Sequence, residues 1–335
     1  EAMLNASNDL AAVLVKIVDS EEFREKYTRL RSARGAVPAG KRPIKSKPES
    51  VITRNVFESQ KDLGEGCLVF LHIPKTAGTS LYKMFGSSFG EEVIFRHHQD
   101  GLIDKARKED LSKYFVFMGH MDYDAISYIP KSPISLCTFV RDPVERLLSL
   151  YYYLRAHEPS HPNYKMDWRM EQANELDIEE FFENDRVRLC PDFANNITWT
   201  IMGNRWMKTS PGLKLCVEKA GTAPSVSQIR ADIRTRLKEF CFIGLQEDFS
   251  KSIELLFQTI KRKPPESIRN VNTFESLFAQ KHFKKVLVKK PITPRLNSAF
   301  SDLVQLDRIT YEESKNFYSE CLSGIESSCM SLCKS

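Results

Sequence analysis

The sequence predicts an α/β protein: a doubly wound parallel sheet with helices on both faces, preceded by an N-terminal helical stem. From residue 67 onward, short apolar runs alternate with segments of helical periodicity. Strands separated by helices imply parallel pairing with both sheet faces covered. The first apolar run leads through a Pro- and Gly-containing loop into a helix-like segment, the strand, loop and helix order that opens such sheets.

Residues 8–32 place Leu10, Leu14, Ile17, Tyr27 and Leu30 at roughly helical spacing, and the segment Gly35 to Pro43 that follows is rich in helix breakers. Residues 1–60 are therefore read as a stem helix and linker, and 61–335 as one domain. The run Lys41 to Lys47 is read as solvated linker, with a basic docking segment as the alternative. The apolar run Cys67 to His72 predicts the first strand, ended by Pro74 and Gly78, and Thr79 to Phe85 the first helix of the domain. Further buried strands are expected at Tyr114 to Met118, Ile134 to Val140 and Phe242 to Leu245, with helices over Val144 to Arg155 and Phe249 to Ile260. His157 to Ala223 has little strand pattern and reads as helices and loops laid over the sheet. There is no internal repeat and no extended low-complexity tract.

A chain of 335 residues fits one large α/β unit with an appendage. With 41% hydrophobic and 28% charged residues the composition is that of a globular protein, and no apolar run approaches the length that crosses a bilayer. Because the chain begins at Glu1, an upstream membrane anchor outside this sequence is part of the expectation. The net charge of +5 is spread among many acidic residues, which argues against a dedicated nucleic-acid protein and fits an anionic small molecule or a glycan. Of the eight cysteines, Cys67 and Cys137 sit in apolar runs as buried thiols, while Cys190, Cys216, Cys321, Cys329 and Cys333 are candidates for disulfides of undeduced pairing. These cysteines and the sequons Asn5-Ala6-Ser7 and Asn196-Ile197-Thr198 point to a lumenal compartment, with the cytoplasm as the alternative.

A parallel sheet binds its ligand beyond the carboxyl ends of its strands, where the loop Pro74-Lys75-Thr76-Ala77-Gly78-Thr79-Ser80 falls. Gly78 is expected to let the backbone approach a phosphate, Thr76, Thr79 and Ser80 to offer hydroxyls, and the following helix to present its unpaired amides. Lys75 adds a mobile point charge. The arrangement is P-loop-like in place, but the only lysine precedes the glycine instead of following it, which disfavours an ordinary nucleoside triphosphate loop. A turn and helix cap without a ligand is the alternative.

A second signal is Thr138 to Arg155. Arg141 at a strand end supplies a planar fork suited to phosphate, Pro143 opens a helix, and Ser149 falls about two turns in. Arg141 paired with Asp142 or Glu145, and Ser149 as a packing residue, are the plain alternatives. Tyr151, Tyr152 and Tyr153 read as core and rim.

Taken together, Pro74 to Ser80 and Arg141-Asp142-Pro143-Val144-Glu145-Arg146-Leu147-Leu148-Ser149-Leu150-Tyr151-Tyr152-Tyr153 resemble the Golgi carbohydrate sulfotransferases of the heparan sulfate 2-O and 6-O type. The wider membrane-associated sulfotransferase group shares both motifs. The likeness extends more weakly through Phe242 to Phe249, covering residues 66–320 and not the stem. It implies a sulfotransferase catalytic domain that takes 3′-phosphoadenosine 5′-phosphosulfate (PAPS) and no metal. The first loop would hold the 5′-phosphosulfate with Lys75 near the bridging oxygen, and Arg141 and Ser149 would bind the 3′-phosphate. It also implies a carbohydrate acceptor, an acidic glycosaminoglycan-like polysaccharide first, and a Golgi lumenal setting, with the stem as the site of any homo-oligomer contact. The rivals are a non-catalytic acidic-glycan-binding protein on the same fold and a kinase-like nucleotide enzyme.

The acceptor hydroxyl needs a base, and His120 follows an expected central strand at the same end of the sheet as the loop. In the 2-O group the similar Gly-His segment holds the proposed base. That group carries a second histidine two residues earlier, where this chain has Met118. His72, Asp122 and His98 are the fallbacks. The segment Lys281 to Lys290 reads equally as a groove for an acidic polysaccharide or an exposed basic face.

Overall fold

Every residue of strand β1 (Cys67–Leu71) is buried, which is what an unbroken apolar run means in a sheet covered on both sides. The computed structural model describes residues 66–108, 110–131, 133–209, 226–265, 282–283 and 287–332. The expected stem and linker, the Asn5 sequon, Cys216 and Lys281, Lys284 and Lys285 of the basic segment lie outside the described residues.

β1 leads into α1 (Gly78–Phe89), then β2 (Ile94–Arg96), α2 (Gln99–Lys108), β3 (Val116–Gly119) and β4 (Ile134–Val140). Helix α3 (Pro143–Arg155) follows directly. Its first turn carries Pro143, whose missing N–H is no loss there, and the Asp142 carboxylate accepts from the amides of Val144 and Glu145. Short helices α4 (Trp168–Glu175), α5 (Ile178–Glu183) and α6 (Asp185–Arg188) precede α7 (Asn196–Thr209), which is broken at Gly203. The chain continues through α8 (Val226–Leu237), β5 (Phe240–Leu245), α9 (Phe249–Thr259), α10 (Pro294–Leu303) and α11 (Gln305–Leu332).

The five strands are parallel in the order β2-β3-β1-β4-β5. Alternating side chains feed two cores. Val69 and Leu71 of β1, Phe117 of β3 and Leu136 and Val140 of β4 face one, with Leu147 and Leu150 of α3 and Ile197 of α7. Leu68, Phe70, Met118 and Phe139 face the other, with Leu81 and Phe85 of α1, Leu256 of α9 and Tyr318 of α11. The doubly wound sheet is as expected. The three-residue edge strand β2 was not anticipated, because three residues carry no readable period. β3 also begins two residues later than its apolar run, since Tyr114 closes a turn onto Leu111 and Phe115 donates to the Val93 carbonyl.

The N-termini of α7 and α11 cap each other. The buried Asp307 carboxylate accepts from the amides of Ile197 and Thr198 at 3.2 and 2.8 Å and from the Thr198 hydroxyl. The Asn195 side-chain oxygen in turn accepts from the amides of Leu306 and Asp307. Farther along α11, the nearly buried Glu313 binds Arg230 and Arg234 and so fastens α8. The sequon asparagine Asn196 is only 7% exposed and donates to the Pro191 carbonyl. In the folded chain it is no accessible glycan acceptor, and the lumenal inference loses that support.

At the end of β3, a Cβ on Gly119 would lie 1.8 Å from the backbone oxygen of His97. Neither partner of that contact is a movable side chain. Gly119→Ala is therefore expected to lose at least the roughly 1–3 kcal/mol of an overpacked core site, seen as a lower denaturant midpoint with an unchanged slope. A midpoint equal to the parent's would refute the close approach.

Candidate active site

Because β1 lies between β3 and β4, the loops leaving these three strands meet at one edge, where the winding of the sheet reverses. They border a cavity of about 710 Å³. Pro74, Lys75, Ala77, Gly78, Thr79, His120, Arg141 and Ser149 all line it, and so do the fallback residues His72, His98 and Asp122. Thr76 and Ser80 do not. Both are fully buried, and the Thr76 hydroxyl donates to the Ile73 carbonyl at 2.8 Å, closing the loop on itself instead of reaching outward.

The first loop is tense. Lys75 and Ala77 both hold φ near +70°, the left-handed region that side chains other than glycine rarely enter. No side chain caps α1. Lys75 is not a mobile charge: its ammonium rests 4.0 Å from the centre of the Tyr153 ring. Burial, with the neighbouring Arg141 charge, lowers its pKa to about 8. A Cβ on Gly78 would strike the His72 imidazole at 2.0 Å, so this glycine of the cavity lining also makes room for a ring.

That ring starts a row of three. His72 stacks on His120 with centroids 4.3 Å apart, and His120 on His98 at 5.1 Å. The His72 amide donates to the Gly119 carbonyl, and His120 Nδ1 lies 3.0 Å from the His72 carbonyl. A carbonyl can only accept, so Nδ1 carries the proton and the lone pair of the neutral ring is on Nε2. Burial holds the His120 pKa below its ordinary value, against the opposing pull of that hydrogen bond. Burial likewise holds His72 well below. Asp122 moves the other way, up to about 6, through burial and then the adjacent Asp124 charge. It caps the following turn and accepts from Asn204 at 2.5 Å.

Arg141 leaves β4 with its side chain 20% exposed. Its contact with Glu145 is long, at 3.4 Å, and its Nε is buried with no hydrogen-bond partner. A buried donor left over at the switch point suits an incoming anion. Ser149 and Tyr153, one turn apart on α3, line the same wall.

A further part of the lining was not foreseen. Arg169 lies between Asp167, which it grips through two bonds of 2.7 and 2.6 Å, and Asp192. Beneath it the fully buried Arg146 donates to the carbonyls of Asp192 and Phe193, fixing the turn that carries Pro191, Asp192 and Asn196 to the cavity. Burial raises the Asp307 pKa, with the Arg146 charge working to lower it. Only the spacing of Tyr153 from Ser149 offered a hint in the sequence. Nothing in the pattern around Arg169 separates it from a surface arginine.

The fold and cavity define an α/β protein that presents two cations and a neutral imidazole at the switch point of a parallel sheet. Residues 64–183 match the model of the sulfotransferase family. A protein-tyrosine sulfotransferase of Arabidopsis thaliana is 35% identical over 120 residues, a match covering 33% of this chain and 22% of the relative. This chain thus spans about a fifth of that protein's length. Both comparisons support a sulfotransferase family, and neither singles out the heparan sulfate type.

Removing the Asp307 carboxylate leaves the amides of Ile197 and Thr198 without their buried acceptor and takes from Arg146 one of two nearby carboxylate charges, Asp192 being the other. Asp307→Ala should cost about 1–3 kcal/mol for the unsatisfied buried donors, measured by denaturant unfolding. An unchanged denaturant midpoint would show that α7 stands without this cap.

Proposed function

We propose that this protein is a PAPS-dependent sulfotransferase acting on a carbohydrate hydroxyl. The observation that carries the reading is the convergence, on one cavity, of a neutral histidine with Nε2 available and a lysine that no carboxylate bridges among the described residues. The orphaned Arg141 Nε adds a second donor for an anion. PAPS, when bound, supplies an electrophilic sulfur and a phosphate leaving group. Lys75 would neutralise the charge growing on that leaving group, and Arg141 and Ser149 would hold the 3′-phosphate. Pro74 to Ser80 would supply the loop, Thr76 and Ser80 through backbone and packing. His120 Nε2 would take the proton of the acceptor hydroxyl as its oxygen bonds to sulfur. Positioning and charge neutralisation carry such a transfer. Among the described residues no cluster has the makings of a metal site.

The carbohydrate acceptor rests on the two-motif resemblance. An acidic polysaccharide is first choice: Lys289 and Lys290 are exposed, and the Lys290 amide donates to the Tyr152 hydroxyl next to the cavity wall. A tyrosine hydroxyl is the second reading, favoured by the name of the Arabidopsis relative. Sulfate transfer from labelled PAPS to desulfated heparan, chondroitin and tyrosine peptides separates the two. A Golgi lumenal setting behind an upstream anchor belongs to the same proposal.

Adenosine 3′,5′-bisphosphate should bind in preference to ATP, and its failure to do so in calorimetry would remove the donor assignment. Lys75→Ala should abolish transfer and weaken that binding. Arg141→Ala and Ser149→Ala should each weaken it more than they weaken binding of adenosine 5′-phosphate, and equal losses would take both residues out of the 3′-phosphate site.

His120→Ala should leave nucleotide affinity intact while turnover falls by roughly a hundredfold to ten-thousandfold. Near-normal turnover would move the base to His72, His98 or Asp122. Because the His120 pKa lies below the ordinary histidine value, activity should hold as pH falls to that value and decline only beneath it, as the ring gains its second proton. On the alkaline side activity should fall as pH rises through about 8, where Lys75 loses its charge. Glycan binding without any consumption of PAPS would favour the non-catalytic protein.

A further inference from the structure

Tyr153 has no assigned part in the reaction just described, yet Lys75 rests against its aromatic face. Its ring belongs to the end of α3, a different element from the loop that carries Lys75, and it lines the same cavity. The cations that line that cavity are treated differently. Arg169 is paired with two carboxylates, which cancel its charge and would repel a sulfate or phosphate. Lys75 has no such bridge among the described residues, and its ammonium lies 4.0 Å from the Tyr153 ring centre. A ring face attracts a cation through its quadrupole and carries no net charge of its own. The ammonium is thereby oriented without a carboxylate to cancel its charge.

We propose that Tyr153 is a positioning residue for Lys75, holding its ammonium at the mouth of the anion loop through the ring face without neutralising it. The left-handed backbone at Lys75 and Ala77 directs the side chain, and the ring fixes its end. Burial keeps the phenol itself uncharged, raising its pKa above the ordinary tyrosine value, with the Asp167 charge acting in the same direction. The hydroxyl is not needed for this role; the face of the ring is. The inference rests on the donor assignment for its consequence in binding, but the Lys75–Tyr153 pair can be read without any donor.

The test is the titration of Lys75 in the unliganded full chain, followed by competitive acylation and mass spectrometry across pH 6 to 11. Phenylalanine carrying zero to three fluorines is placed at position 153, which drains the ring face while keeping its shape. Tyr153→Phe should titrate as the parent does. Successive fluorines should lower the Lys75 midpoint in steps, to a total of about half a unit to one and a half units. Tyr153→Leu, apolar but without a ring, should match the trifluorinated protein, and both should bind adenosine 3′,5′-bisphosphate about three- to tenfold more weakly than the parent. A midpoint indifferent to fluorination would overturn the proposal, as would a Tyr153→Phe protein with the trifluorinated protein's midpoint, since the hydroxyl would then be the contact. If the parent binds no 3′-phosphorylated nucleotide while the fluorine series still shifts Lys75, the donor reading fails and the positioning role stands.

Discussion

Strand β1 is held on both sides by parallel partners, β3 through the register Leu68 with Val116 to Leu71 with Gly119, and β4 from Cys67 with Ile134 to Leu71 with Thr138. Parallel pairing sends all three chains out of the same edge, so their loops must meet there. The edge is further tied by side chains. The Thr138 hydroxyl donates to the Leu71 carbonyl at 2.7 Å, and the His72 amide to Gly119. His120 can direct its Nε2 toward the cavity only because its other nitrogen is committed to the backbone of the neighbouring loop. The tautomer of His120 is thus a consequence of sheet order.

Charge within the cavity is managed by unequal pairing. Arg146, fully buried, donates through its two terminal nitrogens to backbone carbonyls, keeps an unpartnered Nε and lies near the charges of Asp307 and Asp192, so it shapes the wall without lining the cavity. Arg169 is tied to two carboxylates at the surface of the wall. Lys75 and Arg141, which meet the cavity from the central strands, are left with a ring and with one long contact. Repulsion between these two contributes to the low pKa of Lys75. Burial lowers the Lys75 pKa most, and an anion placed between the two cations would offset the repulsion that adds to it, so binding and protonation reinforce each other.

Much of this was readable in the sequence because it depends on local pattern. The apolar runs of β1 and β4, the helix opening at Pro143, and the loop from Pro74 announce themselves over a few residues, and His120, Lys75, Arg141 and Ser149 follow from position at strand ends and helix turns. What was hidden depends on contacts between distant segments. Gly78 looks like a phosphate-loop glycine, and the sequence does not show that His72 also needs its space. Thr76 looks like a ligand hydroxyl, but the turn that begins at Ile73 uses it. Asn196 looks like a glycan acceptor because a tripeptide contains no information about burial. Arg169 and Asp192 are 23 residues apart, and no period joins them.

The mutual capping of α7 and α11 bears on the order in which the protein can be completed. A nascent chain that has emerged only through α7 already has β1, β3, β4 and the anion loop, but the amides at the start of α7 and the charge of Arg146 still lack Asp307. Asn195 in turn has no helix start to cap until Leu306 arrives. The loop side of the cavity is therefore encoded early, and the cap of α7 arrives only with α11. A truncation before residue 307 would spare every motif residue and still leave the start of α7 without its cap.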